Sequence, residues 1–126
     1  MSIAVELQRL ATVIERYRSA YPMTTNAKSA PHVVAVAVQI EAGELVVHDA
    51  GRRTRENALA RPSVGLLWPP QSEAEQSLIV DGEAVVIGES VRVTPTRAVL
   101  HRSAPAPEPK AGACGADCVE IDVRGN

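Results

Sequence analysis

Apolar residues recur at Ile3, Leu7, Leu10, Ile14 and Tyr17, spaced alternately by four and three, while Glu6, Gln8, Arg9, Glu15, Arg16 and Arg18 fall mostly elsewhere on the wheel. That period predicts an amphipathic helix over residues 3–18. The period then drops to two. Tyr21-Pro22-Met23-Thr24-Thr25 reads as a short strand, Asn26 to Pro31 as a polar turn and His32 to Ile40 as a strong strand, so the first two strands form a hairpin. Glu41-Ala42-Gly43 turns the chain into a third strand ending at His48-Asp49, and Val64 to Trp68 is a fourth. The stretch between them, Gly51 to Arg61, is a short helix stopped by Pro62.

Further along, Pro69 to Glu75 is a loop and Ser77 to Gly88 a long strand with a bend or bulge at Asp81-Gly82, continuing over Glu89–Val93 after a kink at Gly88. Thr94 as cap and Pro95 behind it predict a short helix over Thr96–His101. Residues 102–113 hold Pro105, Pro107 and Pro109 among small residues, which makes an extended connector. Cys118 to Val123 alternates Val119, Ile121 and Val123 with polar neighbours, a final strand. One domain over 1–126 results: helix 3–18, barrel core 20–93, connector 102–113 and strand 118–123. Six or so strands with short helices imply a mainly β fold, a closed or nearly closed antiparallel barrel.

Composition sharpens this. In 126 residues the hydrophobic fraction is 45% but the aromatic fraction only 2%, from Trp68, Tyr17 and Tyr21. The core is therefore aliphatic and β-branched, and stacking platforms for single-stranded nucleic acid are missing. So small a chain gains from completing its core against a second copy. A formal net charge of −2 gives no global field toward nucleic acid or an acidic membrane surface. No apolar run approaches the roughly 20 residues of a membrane span, and Glu6 and Arg9 stand where a signal peptide would be apolar. A cytoplasmic protein is expected, with Cys114 and Cys118 as thiols.

Candidate chemistry concentrates at the predicted helix after the third strand. The first turn of a helix has backbone N–H groups without intrahelical partners and a partial positive charge, so Arg52, Arg53 and Arg55 placed there build an anion site. The helix-terminus field supplies about 0.3–1 kcal/mol and each charge-assisted hydrogen bond about 1.5–3 kcal/mol, so the side chains dominate. The alternative is a solvated basic helix start in which these arginines decorate the surface. Thr24 and Thr25 offer hydroxyl donors or satisfy an edge strand, and His48 is a second phosphate contact or a surface imidazole. Cys114, Cys118 and His101 are fewer than the four ligands of structural zinc, and no metal site is expected. No Ser-His-Asp order, paired-carboxylate pocket or glycine-rich nucleotide loop stands out.

Laid in order, Tyr21 to Thr25, Pro31-His32-Val33-Val34-Ala35-Val36, Glu44 to Val47, Arg53 to Pro62 and Val64 to Leu67 resemble the pyridoxamine 5'-phosphate oxidase-like family of flavin- and deazaflavin-dependent oxidoreductases, over residues 3–93. The resemblance implies a homodimeric FMN-binding split barrel in which Pro31 to Val36 lie along the cofactor ring, Arg52 to Asn57 hold its phosphate and the site lies between two subunits. The implied cofactor-binding set is Thr24, Pro31, His32, Val33, Val34, Arg52, Arg53, Thr54, Arg55 and Asn57. His32 is a donor toward a ring carbonyl or a structural histidine. A lysine common in the family is Thr54 here. The compact chain and the Pro31 to Val36 strand look most like the actinobacterial branch that uses the deazaflavin coenzyme F420, which implies hydride transfer to an organic acceptor. An FMN-dependent enzyme, a non-catalytic flavin or F420 binder, and a haem protein using His32, His48 or His101 are the alternatives. A second copy and a small-molecule substrate are the expected partners, with neither nucleic acid nor membrane.

Overall fold

The computed structural model describes residues 2–72 and 74–102. The connector 102–113 beyond Arg102, the strand 118–123 and both cysteines lie outside the described residues. Strands β1 (Ser2–Ala4), β2 (Tyr21–Thr25), β3 (Pro31–Val33), β4 (Gln39–Glu41), β5 (Glu44–Val47), β6 (Ser63–Trp68), β7 (Ser77–Ile87) and β8 (Ser90–His101) make one antiparallel sheet in the order β3-β2-β6-β7-β8-β5-β4, with β1 added to β8. Helices α1 (Leu10–Ile14) and α2 (Arg52–Ala60) are short.

The sheet closes through one stretch of chain. Its two ends, β3 and β4, are consecutive in sequence, so residues 31–41 pair with β2 at one end and β5 at the other. The single strand expected over His32–Ile40 is broken in the middle, where only Val36 bridges Ala20, through N–H to carbonyl contacts of 2.8 and 2.9 Å. Pro22 explains the gap. Ala20 N–H points toward this stretch, Pro22 has the same parity, and proline has no N–H to donate. Alternation nevertheless persists, with residues 31, 33, 35, 37 and 39 exposed and 32, 34, 36, 38 and 40 half-buried.

Turn chemistry sets the remaining register. Glu41 pairs with Glu44 across Ala42 and Gly43, whose φ values of 53° and 80° are the left-handed pair of a two-residue hairpin. At Gly88 (φ 60°) the chain makes a tight hairpin pairing Ile87 with Ser90, rather than the expected kink within a continuing strand. The bulge expected at Asp81-Gly82 is present as a shift of register.

Two predicted helices are different structures. Over 3–18, β1 replaces the first turns: Ser2, Ile3 and Ala4 pair with His101, Leu100 and Val99, and a 3-10 turn at Leu7–Arg9 leads into the five residues of α1. The end of β8 extends past β5 and would otherwise present unpaired backbone groups, so strand pairing there outweighs helix periodicity. Only the later part of the stripe packs as expected, with Leu10 buried and Val13, Ile14 and Tyr17 against the core. The helix expected over Thr96–His101 is the end of β8, where Ala98, Val99 and Leu100 pair with Val80, Ile79 and Leu78. Pro95 stands opposite Gly82 at the register shift, a position that tolerates a missing donor. The barrel interior is aliphatic around one indole, with Leu45, Leu66, Trp68, Leu78 and Val80 fully buried.

Candidate cofactor site

α2 connects β5 to β6, and its start is chemically unfinished. Gly51 precedes it in an extended conformation (φ −62°, ψ 157°) with no side-chain cap, and no acidic residue lies in the first turn. The N–H of Arg55 reaches the Gly51 carbonyl at 3.0 Å, leaving those of Arg52, Arg53 and Thr54 as the open donors of the helix start. Arg52 and Arg53 are exposed. Arg52 Nε lies 3.3 Å from Glu56 Oε1 at 86% side-chain exposure, a contact worth about 0.3–0.5 kcal/mol that an anion would readily displace. Arg55 is half-buried, and its Nε is shielded from solvent with no hydrogen-bond partner among the described residues. A shielded guanidinium N–H without an acceptor is costly.

The opposite face of α2 packs on the barrel through Thr54, Asn57 and Ala58, spaced i, i+3 and i+4. Asn57 Nδ2 donates to Thr24 Oγ1 at 3.0 Å with both residues buried. Thr24 stands opposite His32 in the β2–β3 ladder, which puts the half-buried imidazole on the same face. Arg61, just past α2, donates from Nε and Nη2 to the Asn26 and Ala27 carbonyls, both at 2.9 Å. Asn26 Oδ1 in turn accepts the N–H groups of Lys28 and Ala30. The β2–β3 turn is thereby fastened to one end of α2, while Ala50 N–H to the Glu89 carbonyl (2.7 Å) ties down the other.

The sequence-predicted set thus divides. Thr24, His32, Val34, Thr54 and Asn57 turn toward the barrel, Pro31, Val33, Arg52 and Arg53 face outward, and Arg55 lies between. Thr54 is buried on the packing face. Two contributors escaped the sequence reading. Asn26 carried the signal of a side chain that closes its own turn, but nothing local announces that Arg61 reaches back 35 residues. Asn57→Leu is expected to cost about 1–3 kcal/mol, because it strands the buried Thr24 hydroxyl; Thr24→Val with Asn57→Leu should recover part of it, measured by denaturant unfolding.

Outside the barrel, a polar chain links β4, β5 and β8. His48 Nε2 lies 2.6 Å from Glu41 Oε2 and His48 Nδ1 3.4 Å from Ser90 Oγ, while Arg92 Nε donates to Glu44 Oε1 at 3.0 Å and Thr94 Oγ1 to Glu44 Oε2 at 3.1 Å. Glu41 is held below its ordinary carboxyl value first by the His48 hydrogen bond, and Glu44 first by the Arg92 hydrogen bond and then Thr94. Carboxyls depressed in the folded state stabilise it above the ordinary value of 4.5, and that contribution is lost as pH falls through the folded values. Thermal unfolding is therefore expected to show a Tm that declines below about pH 4.5, with a shallower acid limb in Glu41→Gln with Glu44→Gln.

Grooves of about 780 and 680 Å³ flank the N-terminal segment, and neither is lined by α2. Among the described residues no group of three or more His, Cys, Asp or Glu is placed to hold a metal, and no helix is long and apolar enough to cross a membrane.

Solved structures share this architecture: an F420 reductase (TM-score 0.59, 16% identity, 69% of this chain and 93% of that one), a pyridoxamine 5'-phosphate oxidase candidate from Listeria innocua (0.62, 14%, 77% and 98%), and the FAD binding protein from Mycobacterium smegmatis (0.59, 19%, 81% and 100%). The fold is the split barrel of the pyridoxamine 5'-phosphate oxidase-like proteins. Nearer in sequence, Mb0449c of Mycobacterium bovis and MT0457 of Mycobacterium tuberculosis, both described as uncharacterized, are each 38% identical over 136 aligned residues, covering 94% of this chain and 96% of theirs. The chain belongs to one family with these two proteins. No family model matches it.

Proposed function

We propose that the protein binds a phosphate-bearing deazaflavin or flavin at the start of α2, with F420 preferred to FMN, and transfers a hydride between it and an organic acceptor. The observation that carries this reading is the uncapped first turn of α2 with Arg52 and Arg53 exposed beside it and Arg55 Nε shielded without an acceptor. The names of the F420 reductase and the FAD binding proteins of the same fold add support. When bound, the cofactor supplies the hydride donor or acceptor, and the protein supplies position and electrostatics. The phosphate would be held by Arg52, Arg53 and Arg55 with the first-turn N–H groups. The Thr24–Asn57 hydrogen bond and the Arg61 clamp would hold α2 and the β2–β3 turn at a fixed separation. Exposed Pro31 and Val33 would meet the ring.

Preference for F420 follows from the spread of positive charge. FMN ends in one phosphate, whereas F420 carries an internal phosphodiester and a polyglutamate tail, so three arginines find more acceptors on the longer ligand. The preference should shrink at high salt because Arg52 and Arg53 are exposed.

A homodimer belongs to the same reading. Tyr21, Met23 and Val33 on the outer face of β2 and β3 are 37%, 41% and 56% exposed, a patch that a second copy would cover while walling the ring site. Sedimentation at micromolar concentration is expected to give a dimer that Met23→Asp with Val33→Asp dissociates, with cofactor affinity falling alongside. A wild-type monomer that binds cofactor tightly would overturn the shared site.

A further inference from the structure

A smaller pocket of about 170 Å³ opens between residues 18–21 and 69–71, lined by Arg18, Ser19, Tyr21, Pro69, Pro70 and Gln71. Its walls are stiff. Tyr21 pairs with Leu67, and its neighbours are Ala20, tied to Val36 by contacts of 2.8 and 2.9 Å, and Pro22, whose ring fixes φ. Pro69 follows the fully buried Trp68 and is itself followed by a second proline. Tyr17 Oη donates to the Gln76 carbonyl at 2.7 Å, which ties the residue before Arg18 to the segment after Gln71. A pocket held in shape by its own backbone loses little freedom when a ligand enters.

The polar groups of the pocket are unused. The side chains of Arg18, Ser19 and Gln71 make no hydrogen bond or ion pair among the described residues, and no carboxylate among those residues lines the pocket. A guanidinium fork beside a phenol ring and two prolines matches a planar carboxylate, which it can pair bidentately while the flat body lies on the apolar walls. Placement adds a role. Tyr21 and Met23 share the outer face of β2, about 7 Å apart along the strand, and Val33 stands opposite Met23. We propose that this pocket is the substrate subsite, and that the organic acceptor is a planar carboxylate held by Arg18 with its flat body running over Tyr21 toward the ring at Val33. This rests on the cofactor reading above. The carboxylate is a handle and takes no part in hydride transfer. Only Tyr21 belongs both to the pocket and to the patch assigned to a second copy, so the pocket lies at the margin of that patch.

Benzoate titrated into the full chain without cofactor, and followed by NMR, tests the subsite separately from the reading it rests on: a failure of F420 and FMN to bind would show in their own titrations and leave the benzoate result standing. Benzoate is expected to saturate, shifting the Tyr21 ring and Arg18 Nε–H signals while those of Arg52 and Arg53 stay in place. Benzyl alcohol, the same ring without the charge, should bind at least about tenfold more weakly, and Arg18→Gln should weaken benzoate at least about tenfold, the loss of one charge-assisted contact. The exposed, unpaired Arg18 can be replaced without disturbing the fold. Absence of saturation, shifts centred on Arg52 and Arg53, equal affinity for benzyl alcohol, or wild-type affinity in Arg18→Gln would each overturn the proposal.

Discussion

Replacing Arg52 and Arg53 together with Ala is expected to weaken F420 binding at least about a hundredfold, since each lost charge-assisted hydrogen bond is worth about 1.5–3 kcal/mol, or roughly ten- to a hundredfold in affinity. The fold should survive. Both side chains are exposed, and the ion pair of Arg52 is with Glu56, one turn along its own helix. Surface substitutions of this kind stay within about 0.5 kcal/mol, so thermal unfolding should be almost unmoved while the dissociation constant, read by titration, rises. Arg55→Ala separates the two roles of the cluster, because removing a half-buried guanidinium whose Nε lacks an acceptor should leave stability level or improved in the free protein and still cost affinity.

The largest effect on stability is expected at Gly82. A Cβ at that position would lie 2.5 Å from Val93 Cγ1 and 2.6 Å from the Thr94 carbonyl oxygen. The oxygen belongs to β8, whose backbone is fixed by pairing with β7 on one side and β5 on the other, so it cannot move aside locally. Gly82→Val is therefore expected to cost about 3 kcal/mol or more, the top of the range for overpacking, lowering Tm by roughly 10 °C. Gly65→Ala is the control on the neighbouring strand, where the added carbon meets Met23 Cε at an ordinary 3.6 Å. A Gly82→Val protein as stable as Gly65→Ala would mean that the bulge is not the tight point of the barrel.

Much of this architecture was written locally. Alternation over Tyr21–Thr25 and Val64–Trp68, the turn at Ala42-Gly43, the arginine helix and the Asp81-Gly82 bulge all depend on neighbours in sequence, and each lies where the pattern put it. Apart from the hairpin at Gly88, the failures share one cause. Residues 2–4 and 96–101 are strands because they pair with each other and with β7, a contact between chain segments about 100 residues apart that no local period encodes. The break in the strand from His32 to Ile40 has the same origin, in Pro22 across the ladder. At the candidate site, the arginines were legible by position and charge. The division of the set into an inward group anchored by Asn57 and an outward group was not, because it depends on which face of α2 meets β2.

The central claim is that the start of α2 holds the phosphate of a deazaflavin or flavin, and parallel titrations with F420 and FMN at low salt test it most directly. Absorption and fluorescence of the ligand should show saturable F420 binding, tighter than FMN, weakened by salt and lost in step with Arg52→Ala and Arg53→Ala. FMN binding as tight as F420 would return the reading to a flavin-dependent protein, and affinity for either ligand unchanged in the double variant would contradict the phosphate site itself.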